Sequence, residues 1–412
     1  MSRPRPFAST LAVLAATSVG CAMCRSPADD PGSTVPGRCS EQQPLIDPQK
    51  LDVLFVIDNS GSMAEEQAGV ASELTSFVNE LRQGGGVSQD FHIGVVTTSV
   101  YQHSKVANLE GYRTYPTQSG LLQPVPDEAA DGGVALGTGT ERVLSGEDPL
   151  LVPKFARLVR QGTQGSGQET PFEAARLALA SDLAAISVEG GGNGGFLRDR
   201  ARLLVVVLTD EDDCSEMGRP AQVYIGPDAG IDYCGDQSNL LTPVLDYHVI
   251  FSEQLKDGTG AAREVVWAAI APVDMTTKQA QAVFVDGGLQ NLGCPTSNGP
   301  GYRHRLMAEL FDRTLANLDS ICKASYRDTL VAIAGLANVS QTLDVRNIPD
   351  PRLLVVEILR YDGAKVICTQ ANGGISAFDA PTADQPGRIH FDEQCHRRAD
   401  DKAVDIKLLC AG

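Results

Sequence analysis

A doubly wound α/β fold with a mostly parallel sheet is predicted for this 412-residue chain, and three features carry that expectation. Residues 51–57, 203–208 and 264–271 are near-continuous apolar runs rich in β-branched and aromatic side chains, the pattern of strands buried on both faces. Between them lie stretches with apolar residues at helical spacing, and strands alternating with helices build parallel sheets covered on each face. From residue 350 the period shortens and turn signals follow closely, which predicts a small β module after the main domain.

Residues 1–20 read as a signal peptide: Arg3 and Arg5 form a positive region, and residues 7–19 are an apolar stretch too short to span a bilayer. The Gly20-Cys21 end is similar to the bacterial lipobox, which implies lipidation of Cys21. Ser18 and Val19 depart from the usual lipobox residues, and an ordinary secretory signal is the alternative. Residues 21–48, punctuated by Pro27, Pro31, Pro36, Pro44 and Pro48, read as an extended tether.

Residues 49–345 are expected to form the main domain, with insertions. After the 51–57 strand, Val70, Leu74, Phe77, Val78 and Leu81 fall on one helical face, and Gly84, Gly85 and Gly86 end that helix. Residues 91–100 read as the next strand, and residues 101–150, rich in Gly, Pro, Thr and Asp, as an insertion at the rim of the sheet. A short helix over 152–159 precedes another that turns Phe172, Ala175, Leu179 and Leu183 inward. The glycine run at 190–195 is read as a turn, because no Lys-Ser or Lys-Thr pair follows to make a phosphate loop. Leu241, Val244, Leu245, His248, Phe251 and Leu255 share a helical face, with His248 read as a core residue rather than a ligand. Helical patterns at 306–318 and 326–336 complete the domain. In the module, residues 346–412, a strand over 353–359 meets the hairpin signal Asp362-Gly363 and returns over 365–369, and residues 390–391 and 404–409 supply further short strands.

The chemistry is concentrated where strands end. Asp58, Ser60 and Ser62 follow the first strand, and ligands of open α/β sheets bind beyond the carboxyl ends of the strands. A carboxylate with two hydroxyls is a set of hard oxygens suited to Mg²⁺. Downstream, Gly167-Gln168-Glu169-Thr170-Pro171 opens a helix, and the 203–208 strand ends at Thr209-Asp210. The three segments, in this order, resemble the metal-ion-dependent adhesion site of von Willebrand factor type A domains: Asp58, Ser60 and Ser62 match its Asp-x-Ser-x-Ser motif, Thr170 its threonine and Asp210 its second aspartate. That resemblance implies a von Willebrand factor A-like, Rossmann-type fold. It also implies a bound Mg²⁺, with Ca²⁺ or Mn²⁺ as alternatives, and a Glu or Asp from a partner to complete the shell. Glu211 departs from the glycine usual after the second aspartate, and Asp212 and Asp213 read as a solvated acidic loop.

Composition narrows the function. A net charge of −18 argues against nucleic acid or anionic lipid as partner, so a membrane would be met only through a lipid anchor. Ten cysteines in an exported chain predict disulfides, and proximity alone proposes Cys214 with Cys234, Cys294 with Cys322, and Cys395 with Cys410. Cys24, in the tether, is the expected spare. The six histidines are scattered and no Gly-x-Ser-x-Gly elbow or nucleotide loop is present, so no enzyme is expected. Three classes remain: a lipid-anchored or secreted module that captures a protein or glycan ligand through its cation, a structural piece of a cell-surface assembly, and a hydrolase holding catalytic metals on residues 210–213.

Overall fold

The computed structural model describes residues 44–83, 86–104, 111–126, 140–217, 241–258, 260, 262–285, 288–348, 350–398 and 401–409. The signal peptide, the tether up to residue 43, and Cys21, Cys24, Cys39, Cys234 and Cys410 lie outside those residues.

Six strands form the central sheet: β1 (Gln49–Ile57), β2 (Gln89–Thr97), β3 (Leu144–Ser145), β4 (Arg202–Leu208), β5 (Val265–Ala271) and β6 (Leu318–Ser320). Their spatial order is β6-β5-β4-β1-β2-β3, parallel throughout except for β3, which runs antiparallel to β2. The chain therefore builds outward from β1 in one direction, then returns to lay β4 on its other side. Adjacent strands whose connections leave in opposite directions part at their carboxyl ends, and here that switch point lies between β1 and β4.

Both faces of the sheet are covered, which is why its strands are apolar without alternation. On one face Val53, Phe55 and Ile57 pack with α1 (Ala64–Gln83), α2 (Leu151–Leu158) and a later helix, Arg327–Ala337. On the other, Leu54 and Val56 share a core with α3 (Pro171–Leu179), α4 (Val244–Val249) and α5 (Tyr302–Phe311). The fully buried Phe55 ring meets Phe77 and Phe155 edge-on at 5.4 and 5.0 Å. Burying such a side chain contributes about 1.5–3 kcal/mol.

Several elements differ from the sequence reading. Leu318, placed there at the end of a helix, instead opens edge strand β6, because α5 stops at Phe311 and Leu318 pairs with Ala269. Leu183 does not continue α3: Ala180 is extended (ψ 145°), and Leu183 sits half-buried in a separate turn, Ser181–Ala184. Leu245 is exposed, because the buried face of α4 runs through Val244 and Tyr247 before a π-helical turn, Ile250–Gln254, follows. The 101–150 segment contributes β3 and a two-stranded hairpin, Tyr101–Ser104 with Gly111–Thr114.

After the main sheet come Thr342–Arg346, Leu354–Leu359, Lys365–Cys368, Ile375–Asp379, Gly387–Phe391 and Ala403–Leu408, in two antiparallel sheets around a separate apolar core. The Asp362-Gly363 hairpin forms as expected, with Gly363 at φ +86°, a conformation that glycine adopts without a Cβ clash. Cys395 bonds Cys368, not Cys410: the turn Glu393–Cys395 brings its Cα within 5.9 Å of Cys368 at the end of a strand. Cys294 bonds Cys322 as expected, and Cys214 is disulfide-bonded to a partner outside the described residues. Among the described residues no helix is long and apolar enough to cross a membrane.

Candidate metal centre

Asp58 and Asp210 emerge from neighbouring strands at the switch point. The Asp58 amide donates to the Leu208 carbonyl (2.9 Å), so the two chain ends leave the sheet together. The loop after β1 then folds back. The Ser60 amide donates to Asp58 Oδ1 (2.8 Å), the Ser60 and Ser62 hydroxyls lie 3.2 Å apart, and Ser62 Oγ donates to Asp210 Oδ1 (3.1 Å). Asp58, Ser60, Ser62 and Asp210 are thus joined in one continuous polar group, buried except at Ser62, which is exposed.

Thr170 is tied to the end of β1 through Thr98. It caps the start of α3 with Pro171 after it, yet its hydroxyl makes no capping bond and donates instead to the Thr98 carbonyl (2.8 Å). Thr98 is itself held to the end of β1, its amide donating to Ile57 O (3.0 Å). A hydroxyl that donates to a carbonyl keeps its lone pairs for a cation. Thr170 makes no direct bond to the other four predicted side chains. Its loop is pinned by Ser166, whose hydroxyl donates to the Tyr101 and Gln168 carbonyls, and by Gly165, where a Cβ would come within 2.2 Å of Asn59 Oδ1.

Two acids outside the five predicted ion ligands lie beside the cluster. Glu169 is fully buried with no hydrogen-bond donor on either oxygen, and it faces the Glu211 carboxyl, with which it can share a hydrogen bond only if one of the pair is protonated. Asn298, from an insertion that carried no signal, donates through one amide nitrogen to both Asp210 Oδ2 (3.3 Å) and Glu211 Oε1 (3.2 Å). Thr209 Oγ1 donates to Asp58 Oδ2 (2.7 Å), and Gln67 Nε2 to the Asp58 carbonyl (2.7 Å).

The electrostatics of this cluster are one-sided. Burial, and then the charge of Glu211, raises Asp58 to about 7 against the pull of the Thr209 and Ser60 bonds. Burial followed by Asp58 and Glu211 raises Asp210 to about 8. Glu169 is pushed well above the usual carboxylate range by burial, Glu211 and Asp58. Among the described residues no lysine or arginine pairs with any of the four. Asp213, three residues on from Asp210, shows the contrast: it is ion-paired with Arg303 (2.9 Å) and accepts the Phe172 amide (3.1 Å), while Asp212 accepts the Arg303 amide (2.9 Å). These two side chains are buried, not solvated, and tie the first turns of α3 and α5 to the loop after β4.

The donor set fits a hard divalent cation: two carboxylates and three hydroxyls at an open strand edge, with a fully buried carboxylate beside them that no protein group neutralises. Among the described residues no three His, Cys, Asp or Glu side chains form a ready-made cage, so an ion here would depend on the hydroxyls of Ser60, Ser62 and Thr170.

No protein-family model matches this chain, and no curated protein matches it. Solved structures that resemble it include proximal thread matrix protein 1 from the mussel byssus, at 12% identity and TM-score 0.32, covering 71% of this chain. The chain spans about half of that protein, 49% of its length. A von Willebrand factor type A structure from Catenulispora acidiphila aligns at 10% identity and TM-score 0.32 over 88% of this chain and 59% of its own. The manganese-loaded TRAP protein of Plasmodium vivax aligns at 12% identity and TM-score 0.31 over 71% of this chain and 74% of its own. The order and direction of the six strands, with both faces covered by helices, make this a doubly wound α/β fold with a mostly parallel sheet.

Proposed function

We propose that the chain is a metal-dependent binding module of the cell envelope, which captures an acidic side chain of a protein partner through a divalent cation held by Asp58, Ser60, Ser62, Thr170 and Asp210. The observation that carries this reading is the carboxylate-hydroxyl cluster at the switch point, with which no lysine or arginine pairs among the described residues. Bound there, Mg²⁺, Mn²⁺ or Ca²⁺ would bring positive charge to this acidic cluster and, held by only two carboxylates and three neutral hydroxyls, would have room for a partner's carboxylate as a further ligand. The chain's own residues do the positioning. Gln67 and Thr209 fix Asp58, Ser62 ties the loop to Asp210, and Asn298 orients Asp210 from outside. The exposure of Ser62 leaves one side open to a partner.

The disulfides support an oxidising compartment, and the anchor proposed for it is a lipid on Cys21. A structural role in a surface assembly is the second reading, favoured by Asp212 and Asp213 tying the same loop to two helices. Calorimetric titration of the folded protein with Mg²⁺ and Mn²⁺, followed by partner capture from native envelope with and without chelator, tests the proposal. One-to-one cation binding lost in Asp58→Ala, with chelator-reversible capture, is the expected result. Capture indifferent to chelator would move the interaction elsewhere on the surface. Mass spectrometry of native protein, expected to show a lipidated Cys21 at its start, tests the anchor.

A further inference from the structure

At the opposite end of the sheet, where β1, β4 and β5 begin and the β module meets them, lies a cleft of about 530 Å³. Its walls carry Lys50, Arg200, Arg202, Arg263 and Arg388. Three acids, Asp257, Glu264 and Asp379, line it as well, so basic side chains outnumber acidic ones in a chain whose net charge is −18. At physiological ionic strength charges are screened over about 8 Å, so a ligand inside the cleft feels this local excess more than the distant negative surface.

The carboxylate partners of these arginines are shared or missing. A single buried carboxylate, Asp344, receives both Arg200 (2.8 Å) and Arg388 (2.7 and 3.0 Å), leaving one negative charge between two guanidinium groups. Arg263 uses Nη1 on the carbonyls of Arg198 and Ala201 (2.6 Å each) and has no ion pair among the described residues. Its buried Nε has no acceptor. Burial lowers both Arg200 and Arg263 from the usual guanidinium range, the sign of positive charge held where water is scarce. Only Arg202 has a carboxylate to itself, Glu264 at 3.1 Å. At the mouth, Lys50 is exposed and without an ion pair among the described residues.

A dianion would answer this arrangement, because guanidinium forks and an ammonium group are the donors that recognise phosphate. The cleft is larger than a bare phosphate needs and falls within the range of small-molecule sites, about 300–1,000 Å³. Gln49, Ser340, Thr342 and Gln385 add amides and hydroxyls to its walls, groups that pair with sugar hydroxyls. We propose that this cleft is a second binding site, separate from the candidate cation site, and that it takes a sugar-sized molecule bearing a phosphate monoester.

Calorimetry on the full chain at low salt, with glucose 6-phosphate, inorganic phosphate and glucose as probes, tests the site. Expected are saturable one-to-one binding of glucose 6-phosphate, weaker binding of inorganic phosphate, none of glucose, and affinity that falls as salt rises. Lys50→Glu, at an exposed side chain, should weaken glucose 6-phosphate at least tenfold with an unchanged melting temperature. Arg388→Gln, which leaves Asp344 to Arg200 alone, should weaken it similarly, and circular dichroism on that variant checks that the β module stays folded. No saturable binding, or equal affinity in folded Lys50→Glu, overturns the proposal. Binding confined to vesicles containing phosphatidic acid would also overturn it, in favour of a membrane surface.

Discussion

Asp52 lies on β1 and Asp58 directly follows it, and both are fully buried, yet the molecule treats them in opposite ways. Asp52, near the amino end of β1, receives the Arg198 guanidinium and the Arg198 amide, each at 2.7 Å, and Arg198 also reaches Asp90 and the Leu51 carbonyl. Asp58, at the carboxyl end, receives only a hydroxyl and an amide, and its charged neighbours are other carboxylates. Burial lifts both, Asp52 to about 6 in spite of Arg198 and Asp58 to about 7. A buried carboxylate with its own cation locks the fold, whereas one without it requires a proton or an ion from solution. Asp213, paired with Arg303 within the same loop as Asp210, shows that the carboxyl edge can hold a carboxylate in the first way as well. The bare cluster is therefore a local property of Asp58, Glu169, Asp210 and Glu211, not of that end of the sheet.

The sharpest way to break the comparison is to remove the internal cation. Arg198→Ala should leave Asp52 buried and unpaired, at a cost of about 3–5 kcal/mol in urea unfolding, and divalent ions should not restore it. A loss below about 1 kcal/mol would show that Asp52 was never dependent on its partner.

Supplying a cation is the complementary experiment. With free Mg²⁺ or Mn²⁺ at about one hundred times its dissociation constant, the native state should gain about 2.7 kcal/mol. That gain should disappear in Asp58→Ala, whose metal-free fold should survive because Val53, Leu54, Phe55, Val56 and Ile57 keep their contacts. If Asp58→Ala unfolds, the carboxylate is structural and the contrast with Asp52 collapses.

The pH dependence follows with its sign. Asp58 and Asp210 have an ordinary value of 3.8 and rise to about 7 and about 8 in the fold, so the native state holds their protons more tightly than the unfolded chain does. Their contribution to stability is complete below 3.8 and is lost as pH climbs through about 7 to 8. Metal-free protein should therefore melt lower at pH 8 than at pH 5, and saturating cation should flatten that slope. A melting temperature that rises over this interval without metal would contradict the unpaired cluster.

The smallest expected effect is at Glu169. Glu169→Gln removes one buried charge and places an amide donor opposite Glu211, so the metal-free protein should gain about 1 kcal/mol while cation affinity falls. Unchanged stability and affinity together would mean that Glu169 is protonated and silent in the native state.

Much of this site was legible in the chain before folding. An apolar run stopping at Asp58, a hydroxyl at alternate positions after it, and a second run stopping at Asp210 are local patterns, and strand ends bear ligands wherever a parallel sheet reverses its winding. Thr170 entered the reading through the resemblance alone, and the sequence showed directly only the helix that Pro171 opens after it. The disulfide of Cys395 was misread because loop proximity in sequence says nothing of which strand end a turn will meet. Asp212 and Asp213 were misread as solvated for the same reason: the amides of Phe172 and Arg303 that hold them come from distant segments.

What the sequence by itself determined is periodic or local: which runs are buried strands, where they stop, and which oxygens stand at their ends. Those properties depend on neighbours along the chain, and the hydrophobic effect acts on them wherever the strand is placed. Only the tertiary structure decided which charges are answered. Arg198 closes on Asp52 and Arg303 on Asp213, Arg200 and Arg388 divide Asp344, and Asp58, Glu169 and Asp210 each feel the charge of Glu211 with no lysine or arginine paired to them among the described residues. Electrostatic compensation is settled over a few ångströms in space between residues far apart in sequence, and no period or motif encodes that distance.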